Sequence, residues 1–306
     1  MKGGDLLLAE AALRALEPDI EEEHFPAPLA SFASWKASLA LAFSASAGTT
    51  RLVRRGQHGP LLVQRPFFPE GGKVCHAYIL HPPGGIVAGD ALNLEIEVEE
   101  GAHALVTAPA ASKIYRSDGR VSSQMQTVRV AAGGVMEWLP PEAIFFDGAR
   151  SHWKTRIELS GNAVFMGWEI LCLGRPACGE RFRTGFCRQH FELWRDGRPL
   201  VLERARLGPG VFEATWGLRG ASISAALFAT SPALTPGSAP ALLQELRGLP
   251  VREGTFASAS VVSDVLVFRF LGNAVESARI LFEQAWRILR PVIAGRPACA
   301  PRIWST

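Results

Sequence analysis

The stretch LNLEIEVEEG, residues 92–101, decides the fold class. Leu92, Leu94, Ile96 and Val98 alternate with Asn93, Glu95, Glu97 and Glu99. A period of two puts the apolar side chains on one face of a strand and the acids in water. The same reading extends outward in both directions. In FELWRDGRPLVLE, Asp196-Gly197 separates two alternating runs, a hairpin signal because both central residues must reach positive φ. Strand-like runs recur in KASLALAF, SQMQTVRV, GGVMEWL, KTRIELS, AVFMGWEILCL and VVSDVLVFRF, mostly separated by Gly, Pro, Asn or Asp. Spacing of this kind predicts an all-β body rather than alternating βα units. Gly-Ala pairs at 101–102, 148–149 and 220–221 fall where strands begin or turn. Without a strict repeat, a sandwich, a barrel and a β-helix all fit this pattern.

Helices are few. NAVESARILFEQAWRILRP predicts one near the C-terminus, with Asn273 as N-cap, Glu276 three residues on, Arg287 and Arg290 in the last turn, and Pro291 as its stop. APALLQELRGLP predicts a shorter one ending at Gly248. Residues 5–17 suggest a short amphipathic helix, followed by an acidic and then proline-rich linker; the main body starts near Trp35.

The 306 residues are enough for one large domain or two small ones. A formal charge of +3 is too small to argue for nucleic acid, and the largest basic cluster, Arg51, Arg54 and Arg55, reads as a solvated strand edge. The five cysteines form no disulfide framework by number, and Cys172 and Cys187 read as core residues. The leader is interrupted by Glu10 and Arg14, and no segment approaches the roughly 20 apolar residues of a membrane span. The expected location is cytoplasmic, with no membrane contact.

HPPGGIVAGD, residues 81–90, has the composition of a chemical loop. It has no lysine and leads into a strand, so it is not a phosphate-binding loop; EGGKV at 70–74 has Val74 in place of the hydroxyl and Phe67 in place of the first glycine. No GxGxxG fingerprint or GxSxG elbow occurs. His81 and Asp90 make too small a set for structural zinc, and the histidines are scattered, so no tight metal site is expected. The prolines fix φ and the glycines tolerate unusual backbone, which predicts a tight corner. Acids in apolar company are more informative: Glu137, Glu142 and Asp147 in VMEWLPPEAIFFDGAR, Glu169 and Glu180 in MGWEILCLGRPACGER. Burying a carboxylate is costly unless it is paired or hydrogen-bonded. These acids therefore either pair with nearby Arg150, Arg175 and Arg181 or line an internal polar path.

Six segments carry a resemblance: GQHGPLLVQRPFFPEGG (56–72), LHPPGGIVAGDAL (80–92), TAPAASKIYRS (107–117), EWLPPEAIFFDGAR (137–150), GWEILCLGRPACGE (167–180) and PRIWST (301–306). Their order and wording resemble the urease accessory protein UreD (UreH) family over 35–306, as a single domain, with 1–34 left as a variable, flexible extension. Ala88 in the glycine-rich turn is a mild departure. The resemblance implies a mainly β fold, a right-handed β-helix-like stack of strands with a few α-helices near the C-terminus. It also implies a non-enzymatic role in maturing the nickel centre of urease, with UreF, the GTPase UreG recruited through it, and apo-urease as partners. An internal tunnel for nickel is part of that expectation. No cofactor is expected to be held tightly, and Ni2+ would bind only in passing. Nickel is held firmly by imidazole and thiolate and less firmly by carboxylate, so a conduit suits spaced oxygen ligands. The path candidates are Asp90, Glu142, Asp147, Glu169 and Glu180, with His81 and Glu137 as weaker ones. Trp286, Arg302 and Trp304 are candidates for partner contact, Trp286 also fitting a core position. A β-helical carbohydrate-active enzyme, or a binding scaffold with no conduit, are the competing readings.

Overall fold

The computed structural model describes residues 34–305; the helix expected at 5–17, its linker and the extension up to residue 33 lie outside the described residues. In chain order the first strands are β1 (Lys36–Ser46), β2 (Thr49–His58), β3 (Leu62–Val63), β4 (Cys75–Leu80), β5 (Ala91–Val98) and β6 (His103–Thr107). Then come β7 (Ser112–Ile114), β8 (Ser122–Val130), β9 (Val135–Trp138), β10 (Ala143–Phe145), β11 (Arg150–Leu159) and β12 (Val164–Arg175). The last are β13 (Glu180–Arg181), β14 (Phe186–Arg195), β15 (Arg198–Leu207), β16 (Ile223–Thr230), β17 (Phe256–Val262) and β18 (Val265–Gly272). Helices are α1 (Pro209–Phe212), α2 (Ala239–Arg247) and α3 (Val275–Ile293).

The chain alternates between two sheets. Strands β1, β5, β8, β11 and β14 are parallel neighbours in one sheet, and β4, β6, β9 and β12 are parallel neighbours in the other. Between β4 and β14 the chain passes repeatedly from sheet to sheet, so it coils into a β-helix-like stack of about four turns. Short strands β7 and β10 form a third side, β7 pairing with β10 and β10 with β12. The first sheet ends in antiparallel hairpins, β2 on β1 and β15 on β14; the second is extended by antiparallel β16, β18 and β17.

Strand parity sorts the cores. In β12, Phe165, Leu171 and Leu173 face the interior between the sheets, while Met166, Trp168, Ile170 and Cys172 belong to a second core under the helices. A strand buried on both faces reads as a continuous apolar run, which is how AVFMGWEILCL is written. Helix α3 buries Ala278, Phe282, Ala285, Trp286 and Leu289 in this second core, the face its spacing predicts.

Three local expectations are corrected. VVSDVLVFRF is a hairpin, since Ser263 takes φ +54° between β17 and β18. Asn273 does not cap α3: its Oδ1 accepts from Ser222 N–H at 2.9 Å, and Ala274 holds the N-cap position. Pro291 does not stop α3, because Ala294 N–H still reaches the Arg290 carbonyl at 2.9 Å and buried Ile293 anchors the last turn. Asp196 and Gly197 do take positive φ, 48° and 74°, at the β14–β15 hairpin.

Candidate functional site

A cavity of about 370 Å3 lies inside the stack. Inward residues of β5, β8 and β11 (Leu92, Leu94, Gln124, Gln126, Trp153) form one wall, and Trp138, Ala143, Glu169 and Leu171 form the opposite one. Its rim carries His81, Pro82, Gly84 and Gly85. The HPPGG segment is thus a tight corner, as its composition predicts, and also an edge of this cavity. Gly84 sits at φ +77° and its N–H closes a turn on the His81 carbonyl at 3.0 Å. At Gly85 a Cβ would lie 2.2 Å from the Tyr115 ring, so only glycine fits. Partial burial lowers the His81 pKa, partly opposed by Asp90.

Glu169 is the acid of the cavity wall. Three neutral groups donate to it: the Thr155 hydroxyl and Trp153 Nε1 (3.3 Å) to Oε1, and Gln189 Nε2 (2.8 Å) to Oε2. Gln126 Nε2 donates to Thr155 Oγ1 at 3.2 Å, so the hydroxyl proton is directed at the carboxylate. Among the described residues no cation pairs with Glu169. Burial raises its pKa, and the three donors only partly offset that.

Glu137 lies on the opposite face of the same sheet. On β9, Met136 and Trp138 face the interior, so Glu137 faces α3. There Arg290 Nε donates to both its oxygens at 3.0 Å, Trp286 Nε1 to Oε2 at 2.6 Å, and His103 Nε2 lies 2.7 Å from Oε1. The Arg290 fork also grips Glu70 at 2.9 and 2.7 Å, and its Nη1 donates to the Pro297 carbonyl. His76 Nε2 lies 2.9 Å from Glu70. Glu137, Arg290 and His76 are each 0 % exposed. Although burial opposes it, this company holds Glu137 below the usual carboxylate range and Glu70 down to about 2. Arg290 therefore does more than complement the helix dipole: it bolts α3 to the first turns of the stack.

The remaining acids are spread out. Asp90 accepts from Trp35 N–H (2.8 Å) and Val87 N–H (2.9 Å), clipping its own loop. Asp147 accepts from Arg183 N–H and Thr184 N–H, both at 2.8 Å, and pairs with Arg116. Its own N–H donates to Glu180 at 3.1 Å, and Glu180 pairs with Arg175, one of the arginines expected to serve. Glu142 lines a second space of about 120 Å3 with Trp168, Arg279, Glu283 and Trp304; one of its oxygens is buried without a partner. Segments 108–111 and 140–141 line both spaces. Among the described residues, no three His, Cys, Asp or Glu side chains converge as a metal-holding group.

Trp286 is fully enclosed, stacked edge-on against half-buried Trp304 at 5.5 Å, which makes it core. Arg302 is exposed and lies over Phe67 at 5.8 Å. Glu70, His103, Arg290, Thr155 and Gln189 escape a sequence reading. Their one signal is parity, since it places Glu137 and Glu169 on opposite faces.

Comparison with known proteins shows the family. Residues 36–305 match the family described as UreD urease accessory protein. The chain is 44% identical over 284 residues to a urease accessory protein UreD from Chromohalobacter salexigens, covering 89% of each chain. It is 42% identical over 294 residues to one from Dechloromonas aromatica, covering 94% of this chain and 98% of the relative. A Marinobacter nauticus UreD is 45% identical over 282 residues, with 89% and 93% covered. With most of its length matched by the family and by relatives at this identity, the chain belongs to the UreD family of urease accessory proteins.

Proposed function

We propose that the chain is a non-enzymatic scaffold for urease maturation, acting with UreF and the GTPase UreG on apo-urease in the cytoplasm and passing nickel through the interior of the stack. Family membership supports the urease role. The observation that carries the conduit is Glu169, a carboxyl group on a cavity wall, held by neutral donors alone. Burial favours its proton, and an arriving divalent cation can take that proton's place. A single carboxylate with no companion ligand binds weakly enough to let the ion leave, as transit requires. His81 at the rim and Glu142 in the adjoining space are the other members of the path. Asp90, Asp147, Glu180 and Glu137 suit it less, because their lone pairs are committed to backbone N–H groups or arginine. Nickel is cargo here, and no cofactor is held tightly.

A glycan-active site would need two carboxyl groups flanking a bound sugar. Among the described residues Glu169 is the single acid lining the cavity, so nothing favours that reading. The test is coexpression with the urease subunits and the other accessory proteins. Omitting this chain abolishes activation; full activation without it rejects the role. Glu169→Gln and Glu142→Gln lower activation while the complex still assembles. Unchanged activation in both would mean a scaffold with no conduit through these residues.

A further inference from the structure

The outer face of the seven-stranded sheet carries an uneven distribution of charge. Over most of it opposite signs meet: Arg54 with Glu97, Arg129 with Glu158, and Arg156 with Glu158 and Glu192. At the β11–β14–β15 end the pattern changes. Strand register sets His152 opposite Arg188 and Arg188 opposite Arg206; in the next outward row Lys154 faces His190 and His190 faces Arg204. Two consecutive rows across three strands therefore contain cationic or titratable basic groups alone. Like charges directly opposite each other on a sheet are destabilising.

Lys154 is partly neutralised by Glu192 at 3.4 Å, but Arg188, Arg204 and Arg206 have no carboxylate partner among the described residues. Arg150, Arg188 and Arg206 gather over the Phe186 ring at 5.9, 5.8 and 5.2 Å, which holds guanidinium groups in place on the surface. Partial burial, then Arg188 and His190, lower the His152 pKa; partial burial, then Arg204, lower that of His190.

We infer that this two-row cationic patch is a docking surface for the carboxylate-rich face of a partner protein. Arginine forks match carboxylates in a bidentate way, and the patch is pre-assembled at a cost in stability that a complementary surface would remove. A polynucleotide fits less well. The face is a sheet rather than a groove, and its aromatic ring, Phe186, is already covered by guanidinium groups and offers no base-stacking platform. The inference rests on the reading above that the chain works inside a protein assembly.

The test uses the full chain with two probes: a fluorescent oligo-glutamate peptide, and purified apo-urease with UreF and UreG. Reversal in Arg188→Glu/Arg206→Glu is expected to weaken peptide binding and assembly by about tenfold or more, with added salt weakening the wild type similarly. Reversal in Arg51→Glu/Arg55→Glu on exposed β2 should change neither. Arg206→Gln, with one charge neutralised, should bind with intermediate strength and melt no lower than wild type, which separates lost docking from lost folding. Equal effects from both reversals, or none from either, overturn the proposal. So does an RNA of matched charge that displaces the peptide from wild type. Assembly that survives the Arg188/Arg206 reversal rejects this surface and leaves the urease role standing. A wild type that binds the peptide through these arginines yet never assembles rejects the role and keeps the surface.

Discussion

Glu137 and Glu169 sit on paired strands of one sheet, both buried, and their surroundings differ in every respect that matters. Glu137 on β9 points under α3 and meets the Arg290 fork, His103 and Trp286. Glu169 on β12 points the other way, into the cavity, and meets a hydroxyl, an indole and an amide. Burial pushes both pKa values up; His103 and then the Arg290 guanidinium reverse this for Glu137, and neutral donors do not for Glu169. Burial alone therefore does not decide what an acid is for. The first is a fastener with its charge satisfied. The second is a carboxyl group with no cation paired to it among the described residues.

The sharpest way to break this contrast is Arg290→Ala. It takes the guanidinium from buried Glu137 and leaves Glu70 only the longer contact to Arg296 at 3.6 Å, and loss of one partner from such a pair costs about 3–5 kcal/mol. Chemical denaturation should show that loss, or the variant should not accumulate; a loss under about 1 kcal/mol would mean the network is not the fastener.

Acid is the next lever. Glu70 titrates near 2 in the folded protein, below its ordinary 4.5. A depressed folded pKa adds stability that is fully present above the unfolded value and is lost as pH falls toward the folded one. Over that window the chain should lose on the order of 3 kcal/mol from this group. Melting curves of wild type against Glu70→Gln should converge as pH falls from about 5 toward 2; parallel curves would contradict the assignment.

Thr155→Val sharpens the other half. It removes one donor from Glu169 and should cost about 1–2 kcal/mol where the carboxyl is ionised, and less at lower pH where it is protonated. A loss that does not vary with pH would mean the hydroxyl serves packing alone. Smallest of all is Glu169→Gln. A raised folded pKa means the native carboxyl loses stability as pH rises, so the amide should match or slightly exceed wild type near neutral pH. Gln189 can turn its amide oxygen toward the new N–H. A large destabilisation would make Glu169 a second fastener.

Period two in LNLEIEVEEG and KTRIELS shows the strands, and parity in VMEW and MGWEIL shows which acids share a face. Parity does not show what lies across that face. Arg290 is 153 residues from Glu137, and nothing local marks it as other than a last-turn cation. Period also leaves sandwich and coil alike, since parallel pairing of β5 with β8 or β11 with β14 is non-local; the family words had to choose. The spacing of Asn273 to Glu276 fits a cap, yet its Oδ1 accepts from Ser222 N–H, just before β16 and 51 residues away. Cavity walls are legible least of all, because Gln126, Trp153 and Glu169 come from three different strands, β8, β11 and β12.

The central claim is that Glu169 exchanges a proton for nickel. Calorimetric titration of the full chain with Ni2+, in buffers of different ionisation enthalpy near neutral pH, counts the protons released on binding. Wild type should release more than Glu169→Gln and bind more tightly. Equal proton counts and equal affinities in the two proteins would contradict the account.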